Sequence, residues 1–104
     1  MKISNSELLR YSKQIILKKI GIVGQKKISS ARVLVVGVGG LGCPLALYLA
    51  NTGIGKVGLV DDDKVELSNL NRQIIFNNAD VGKFKVVQAK RTLKKINKVK
   101  NICI

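Results

Sequence analysis

A cluster of glycines follows an apolar run at a spacing that suits phosphate binding. The run Val33–Val36 leads directly into Gly37-Val38-Gly39-Gly40-Leu41-Gly42. In a strand–turn–helix unit, Gly37 permits a tight turn, Gly39 lets the backbone approach phosphates, and Gly42 lets the helix lie close to the strand. The phosphates then face free N–H groups and the positive end of the helix dipole. This glycine loop, residues 37–42, predicts a nucleotide-binding turn, and the alternative is a turn kept only for packing.

A carboxylate follows a second apolar run, where nucleotide-binding folds hold a ribose. Val57–Val60 ends in Asp61, about 20 residues after the glycine loop, which is the spacing expected of a carboxylate that binds ribose hydroxyls. Two further acids, Asp62 and Asp63, come directly after it. They either belong to the site or are ordinary loop carboxylates.

Two basic side chains lie further along the chain. Arg72 falls within Ser68–Gln73, inside the polar and aperiodic stretch Asp61–Gly82, and Lys85 stands in the first turn of a predicted helix. Preorganised cations stabilise the negative charge that develops on phosphate oxygens during transfer reactions. Arg72 offers a planar fork and Lys85 a point charge. The alternatives are a surface ion pair for Arg72 and an ordinary exposed position for Lys85.

The elements that position these groups run in the order helix, then β-α-β-α-β. Because successive crossovers are right-handed, the strands should be parallel. The order predicts an α/β fold, the N-terminal βαβαβ half of a Rossmann-like doubly wound parallel sheet, preceded by an N-terminal helix. The predicted helices run from the capping box at Ser4–Glu7 to about Ile16, over Gln25–Ser30 after a break at Gly21 and Gly24, over 41–53 and over 83–96. The first and last of these helices carry apolar stripes predicted to face the core, at Leu8, Tyr11, Ile15 and Ile16 and at Val86, Ala89, Leu93 and Ile96. The predicted strands are Arg32–Val36, Lys56–Val60 and Val99–Ile104.

The length and the apolar content of the chain bound its domain organisation. With 104 residues, 46% of them hydrophobic, the chain can bury one core. We expect a single, incomplete nucleotide-binding domain, with an N-terminal helical segment over 1–31 and the βαβαβ unit over 32–104. No run of 18 apolar residues and no signal-like N-terminus appear, so no membrane partner and a cytoplasmic location are expected.

The charge of the chain favours anionic partners. Nineteen Lys and Arg stand against six Asp and Glu, a net charge of +13. Nucleic acid is not expected as a specific partner, because the lysines are scattered and aromatic residues are only 4% of the chain, too few for base stacking. The basic cluster 90–98 is interpreted as the solvated face of a helix. Cys43 and Cys103 form no C-x-x-C pair and suggest neither a zinc site nor a disulfide framework, and Cys43 is assigned to packing.

In combination, the glycine loop with Cys43-Pro44, the Ser68–Gln73 segment with Lys85, and Arg10-Tyr11-Ser12-Lys13-Gln14 resemble the ThiF/MoeB/HesA-type adenylyltransferases, which activate ubiquitin-like proteins and sulfur carriers. The resemblance spans roughly 7–104. It implies ATP with Mg²⁺ and a ubiquitin-like sulfur-carrier protein, whose C-terminal glycine carboxylate attacks the α-phosphorus and expels pyrophosphate. It also implies a homodimer and gives catalytic roles to Arg72 and Lys85.

The resemblance also assigns the binding residues. Lys13 stands where the family usually carries an arginine that reaches phosphates in the neighbouring subunit's site, which keeps the charge but loses the bidentate geometry. The family's magnesium-holding aspartate and zinc-binding cysteine pairs would lie beyond Ile104. No metal site is therefore expected within the chain, Zn²⁺ could bind only in a C-terminal part, and the chain alone is expected to be inactive. The residues assigned to nucleotide binding are Gly37, Gly39, Gly40, Gly42, Asp61, Asp63, Ser68, Asn69, Leu70, Asn71, Arg72, Gln73 and Lys85.

Two other functions remain open from the sequence. A nicotinamide-dependent oxidoreductase half-domain would explain the glycine loop and Asp61, but it would leave Ser68–Gln73 and Lys85 without a role. A non-catalytic nucleotide-binding or heterodimerising subunit would use the same fold without the reaction.

Overall fold

The computed structural model describes residues 2–97 and 101–104. Five helices, three strands and two 3₁₀ turns make up this part of the chain. In chain order they are α1 (Asn5–Arg10), α2 (Ser12–Ile15), α3 (Gly21–Ser30), β1 (Arg32–Val36), α4 (Gly42–Thr52), β2 (Lys56–Val60), the 3₁₀ turns Leu67–Asn69 and Asn78–Asp80, α5 (Lys85–Ile96) and β3 (Asn101–Cys103).

The three strands form one parallel sheet in the order β1-β2-β3. Val36 lies beside Val60, and Val57 beside Ile102. This topology confirms the predicted parallel βαβαβ fold, and β1 and β2 have the predicted bounds. Of the predicted third strand, residues 99 and 100 lie outside the described residues. Because the sheet is parallel, the carboxyl ends of β1 and β2 meet at one edge, which gathers the glycine loop and Asp61.

The core lies on one face of the sheet. Val35, Val57 and Leu59 are buried there against α4 and α5, which contribute Ala46 and Leu93 among others. On the opposite face, the side chains of β1 and the end of β2 are exposed. Helix α5 therefore has the predicted buried stripe, although Val86 and Ile96 are only partly buried.

The N-terminal helices dock on the C-terminal end of α4. Tyr11 is buried, and its hydroxyl accepts a hydrogen bond of 2.8 Å from Asn97. Gln14 donates to the carbonyl of Thr52 at 2.8 Å and also bonds Gln25. These bonds join segments far apart in sequence.

Two expectations for the helices were wrong in detail. Helix α3 begins at Gly21, whose φ of 56° opens it, and continues through Gly24, so these glycines do not end the helical pattern. The first predicted helix is broken at Tyr11, and Ile16 is 78% exposed rather than part of a buried stripe. Within the described residues, no helix has the length and apolar character needed to cross a membrane.

Candidate functional site

The glycine loop has the geometry that its sequence predicts. Gly37 has φ of 92°, a conformation that residues with a side chain rarely adopt. A Cβ at Gly42 would lie 1.8 Å from the Gly37 carbonyl oxygen, so α4 can approach β1 only without one. A Cβ at Gly39 would meet nothing within 4 Å. Gly42 therefore serves packing, whereas Gly39 borders open space in front of the loop.

Asp61 fastens the glycine loop to the end of β2. One carboxylate oxygen accepts the Val38 N–H at 2.8 Å, and the other accepts the Asp63 N–H at 2.8 Å. The Gly37 N–H donates to the Val60 carbonyl at 2.7 Å. A carboxylate has about four lone-pair sites, so Asp61 holds the loop and still has acceptor capacity for ribose hydroxyls.

An open depression of about 470 Å³ lies at the carboxyl ends of β1 and β2, lined by Val36, Gly37, Val60 and Asp61, Asp62 and Asp63. The carboxylate oxygens of the three aspartates lie within 4.8 Å of one another. Sequence reasoning gave Val36 and Val60 no role in the site. Their place as the last residues of neighbouring parallel strands was the available signal.

Arg72 folds back over the glycine loop. Its Nη1 donates to the Ser68 carbonyl at 3.2 Å and to the Asn71 side chain at 3.0 Å. Its Cδ would lie 3.7 Å from a Cβ built on Gly40. Arg72 makes no ion pair with any described carboxylate, and its remaining guanidinium donors stand beside the loop.

Lys85 is buried, with 6% of its surface exposed, although the sequence left an exposed position open. It is the first residue of α5, and its N–H donates to the Asp63 carbonyl at 3.0 Å. Its charge acts on the Cys43 thiol, which lies in the first turn of α4. Its ammonium group has no hydrogen-bond or ion-pair partner among residues 2–97 and 101–104. An unpaired positive charge on a largely buried side chain attracts an anion, so this position favours one beside the N-terminus of α4.

Cys43 behaves as a packing residue. It is fully buried, and burial raises the pKa of its thiol, an effect that a hydrogen bond with the Ile75 backbone and the charge of Lys85 only partly oppose. The thiol donates to the Val38 carbonyl at 3.5 Å. A neutral, enclosed thiol is a poor nucleophile, which agrees with the assignment of Cys43 to the loop's packing.

The other residues of the 68–73 segment have mixed placements. Asn69 is buried, and its side-chain oxygen accepts the Glu66 N–H at 2.8 Å. Leu70 lies against the core, whereas Ser68 and Asn71 are exposed. Gln73 is 3% exposed, and its Oε1 has no partner within the described part of the chain. Gln73 is therefore the polar side chain of this segment with an unmet hydrogen bond.

Asp80 anchors the long loop to α5, a role that sequence reasoning missed. Its carboxylate accepts the Gln88 side chain at 2.6 Å and the Asn77 N–H at 2.9 Å, and the residue is buried. An antiparallel bridge between Lys64 and Phe84 ties the two ends of the loop together. The spacing Asn-x-x-Asp, typical of a capping turn, was the available signal.

Lys13 lies far from the site in its own chain. It is exposed on α2, which docks at the C-terminal end of α4, whereas the glycine loop lies at the N-terminal end. Helix α4 has 11 residues, so it separates the two by about 16 Å at 1.5 Å per residue. The structure does not bring Lys13 together with Arg72 and Lys85.

The glycine loop, Asp61, Arg72 and the buried Lys85 thus converge at one edge of a parallel sheet, and the family match covers all of them. The model of the ThiF family matches residues 11–103. The chain belongs to the ThiF family. This confirms the resemblance inferred from the motifs and the Rossmann-like fold.

The proteins similar to this chain are several times longer than the region they share with it. The "adenylyltransferase and sulfurtransferase MOCS3" of Anopheles gambiae is 54% identical over 96 residues, which are 92% of this chain and 22% of that protein. The structure of PaaA is 39% identical with a TM-score of 0.90, covering 97% of this chain and 33% of that one. The E. coli tRNA N6-threonylcarbamoyladenosine dehydratase TcdA, solved with AMP, is 31% identical with a TM-score of 0.90, covering 99% and 41%. The chain thus spans about a fifth of the curated relative's length.

Proposed function

We propose that this chain forms the ATP-binding part of an adenylyltransferase that activates the C-terminal glycine carboxylate of a ubiquitin-like sulfur-carrier protein. The observation that carries the proposal is the ammonium group of Lys85, which has no partner among the described residues and ends a side chain that is only 6% exposed beside the N-terminus of α4. An unpaired cation and a helix N-terminus at one place match a polyphosphate. The names of the relatives support adenylation.

The geometry suggests how the nucleotide would lie. Its adenosine would occupy the depression at Val36 and Val60, with the ribose hydroxyls on Asp61. Its phosphates would lie along the open space at Gly39, between the Arg72 fork and Lys85. The AMP bound by the related TcdA supports a nucleotide in this fold.

These side chains fit the charge that develops in the reaction. When the carrier's carboxylate attacks the α-phosphorus, negative charge spreads over the phosphate oxygens and pyrophosphate leaves. Arg72 and Lys85 are fixed before this happens, one by its bonds to Ser68 and Asn71 and the other by burial. Preorganised donors of this kind lower the barrier because little reorganisation is needed at the moment of reaction.

Mg²⁺ would neutralise part of the phosphate charge when bound, and the residues present fit it because carboxylate oxygens are its preferred protein ligands. Asp63 is exposed beside Asp61, and we propose that it approaches the ion. Lys13 lies at the wrong end of α4 to reach its own site, so we propose that it serves the site of a second subunit in a homodimer.

The test is a chimera in which this chain replaces the matching 96 residues of the Anopheles gambiae relative. We expect ATP–pyrophosphate exchange that depends on a carrier protein ending in glycine. Lys85→Met should lower exchange on the order of 100-fold, by analogy with the loss of other preorganised donors. Lys94→Met, an exposed position on the same helix, should leave exchange within about 2-fold, since exposed charges contribute little.

Two results would contradict the proposal. One is a folded chimera that binds ATP and shows no exchange with any carrier protein. The other is exchange that is unchanged by Lys85→Met, which would remove the observation on which the proposal rests. Binding of NAD in place of ATP would favour the oxidoreductase alternative.

A further inference from the structure

Arg72 offers one particular edge of its guanidinium group to a ligand. The side chain makes two hydrogen bonds within the described residues, and both start at Nη1, to the Ser68 carbonyl at 3.2 Å and to the Asn71 side chain at 3.0 Å. Because a guanidinium group carries five N–H donors in a fixed fork, these bonds use the two hydrogens of Nη1 and leave those of Nε and Nη2. The edge formed by Nε and Nη2 is therefore open.

This open edge lies beside the glycine loop. A Cβ built on Gly40 would lie 3.7 Å from Arg72 Cδ and 3.8 Å from Arg72 Nε. The Arg72 side chain thus crosses Gly40 at van der Waals distance, with Nε next to the loop. Two parallel N–H groups of a guanidinium fork match two oxygens of one phosphate group. The arrangement suits a phosphate that lies over the loop.

Asn71 turns towards Arg72 an atom that cannot contact phosphate. Arginine only donates hydrogen bonds, so the Asn71 atom beside Nη1 must be the carbonyl oxygen of its amide. Phosphate oxygens are acceptors as well, and two acceptors do not bond to each other. The resemblance to the family placed Asn71 among the nucleotide-binding residues, whereas this bond suits a different task, the orientation of Arg72.

The turn that carries both side chains is held by the buried Asn69. The Asn69 carbonyl accepts the N–H groups of Arg72 at 3.2 Å and of Gln73 at 2.8 Å, and its side chain accepts the Glu66 N–H at 2.8 Å. The backbone beneath Arg72 is thus fixed, while the side chains of Asn71 and Arg72 are exposed. The bond between these two side chains restricts their remaining motion before a ligand arrives, which reduces the entropy lost on binding.

We propose that Asn71 is a positioning residue, which holds the Arg72 guanidinium so that its Nε–Nη2 edge binds two oxygens of one phosphate group above Gly40. The ligand class is a polyphosphate. In the function proposed above, on which this role depends, that polyphosphate is the triphosphate of ATP. Asn71 acts only through Arg72 and does not touch the ligand, so its removal matters only while Arg72 is present.

The test is a double-mutant cycle in the chimera described above, with inorganic tripolyphosphate as the ligand and calorimetry as the measurement. Tripolyphosphate has no adenosine and needs no carrier protein, so its binding reports the phosphate contacts alone. Asn71→Ala should weaken the affinity about 5-fold where Arg72 is present and less than about 1.5-fold in the Arg72→Ala chimera, because the effects of two residues that act through one contact do not add.

Two further variants separate the orientation of Arg72 from its charge. Arg72→Lys keeps the positive charge but loses the paired donors, so it should weaken the affinity about 10-fold, nearly as much as Arg72→Ala. Asn71→Gln keeps an amide oxygen as acceptor, so it should restore the affinity to within about 2-fold of the unmodified chimera.

Asn78→Ala is the matched control. Asn78 is an exposed asparagine of the same long loop, and its side chain makes no hydrogen bond to a described residue. Its substitution should leave the affinity for tripolyphosphate within about 2-fold, as is usual for an exposed position.

The other outcomes overturn the positioning role. Equal weakening by Asn71→Ala with and without Arg72 would show that Asn71 contacts the ligand itself. Full affinity in Asn71→Ala or in Arg72→Lys would show that Arg72 acts as a point charge that needs no orientation. Asn71→Gln as weak as Asn71→Ala would show that the amide oxygen is not what holds Arg72, and a chimera that does not bind tripolyphosphate would have no phosphate contact at Arg72.

ATP–pyrophosphate exchange in the same chimera tests the proposed function separately. Coupling between Asn71 and Arg72 in a chimera without exchange would support the positioning role and contradict adenylation. Exchange in a chimera without coupling would support adenylation and overturn the positioning role.

Discussion

Gly39 and Gly42 differ in whether the protein leaves room for a side chain, and substitution of each residue can test this difference. Gly42 is constrained from within the protein, because a methyl group there would overlap the Gly37 carbonyl. A Cβ at Gly39 would meet nothing within 4 Å, and in the function proposed above the phosphates occupy that room. The proposal therefore makes one position depend on packing and the other on the ligand.

We expect Gly39→Ala to stay folded but to bind ATP more weakly, and Gly42→Ala to have a lower free energy of unfolding. At Gly39 the added methyl occupies the path of the phosphates, so the affinity for ATP with Mg²⁺ should fall about 10-fold or more, as when one good phosphate contact is lost. At Gly42 the overlap should cost on the order of 3 kcal/mol, at the upper end for overpacking. Calorimetry and urea unfolding of both variants give the comparison. Equal loss of stability in the two variants would contradict it.

At the scale of residues, the sequence predicts the roles of the loop glycines but not the burial of Lys85. The roles of Gly37 and Gly42 were predicted from their spacing, and the structure has the turn and the close approach they imply. The burial of Lys85 was left open, because a lysine on a basic helix is usually solvated. In the structure the long loop meets the start of α5, where the Lys85 N–H donates to the Asp63 carbonyl.

At the scale of elements, the long connection between β2 and α5 is the least predictable part. Residues 61–84 have no hydrophobic periodicity, so the sequence indicates only one helical turn near 68–73. In the structure, two 3₁₀ turns and the Lys64–Phe84 bridge order the segment. Both turns have reciprocal capping bonds, from Glu66 with Asn69 and from Asn77 with Asp80. Such local pairs can be found in sequence, but the contacts that hold the turns against α5 cannot.

Asp80 should be the anchor of that segment. We expect Asp80→Ala to lower the free energy of unfolding by about 2–3 kcal/mol, because it removes a buried carboxylate that accepts two hydrogen bonds and leaves Gln88 unpaired. Asp62→Ala, an exposed aspartate in the same loop, should change it by less than about 0.5 kcal/mol. Urea unfolding measures both, and hydrogen exchange should rise across 61–84 in Asp80→Ala alone. If the two variants had equal free energies of unfolding, Asp80 would not be the residue that holds the loop against α5.

At the scale of the whole molecule, the parallel sheet could be derived from the sequence, whereas the docking of the N-terminal helices could not. The strands follow from two apolar runs and right-handed crossovers. The N-terminal helices meet the sheet domain through polar groups, with Gln14 and Gln25 on the Thr52 carbonyl and Tyr11 on Asn97. Polar contacts between distant segments produce no hydrophobic periodicity in the sequence, so the sequence does not predict them. The exposure of Ile16 has the same origin, because the helix is held by its polar side and not by the predicted apolar stripe.

The bond between Tyr11 and Asn97 has a consequence for the order of events in folding. It closes a loop of 86 residues, so the chain must lose that much freedom before the bond can form. Contacts of this range are expected late, after the local β-α-β units, and therefore after the transition state. The N-terminal helices would then be the last part to dock and the first to leave.

Substitution of Asn97 tests this order. Asn97→Ala removes its bonds to Tyr11 and to the Ala50 carbonyl, which should cost about 2–3 kcal/mol. If docking follows the transition state, that cost appears almost wholly as unfolding about 30-fold faster or more, with the folding rate nearly unchanged. Asn51→Ala, which removes a local bond within α4, provides the matched control in stopped-flow measurements. If Asn97→Ala slowed folding instead, the contact between Tyr11 and Asn97 would already be formed in the folding nucleus. The N-terminal helices would then dock before the sheet is complete and not after it.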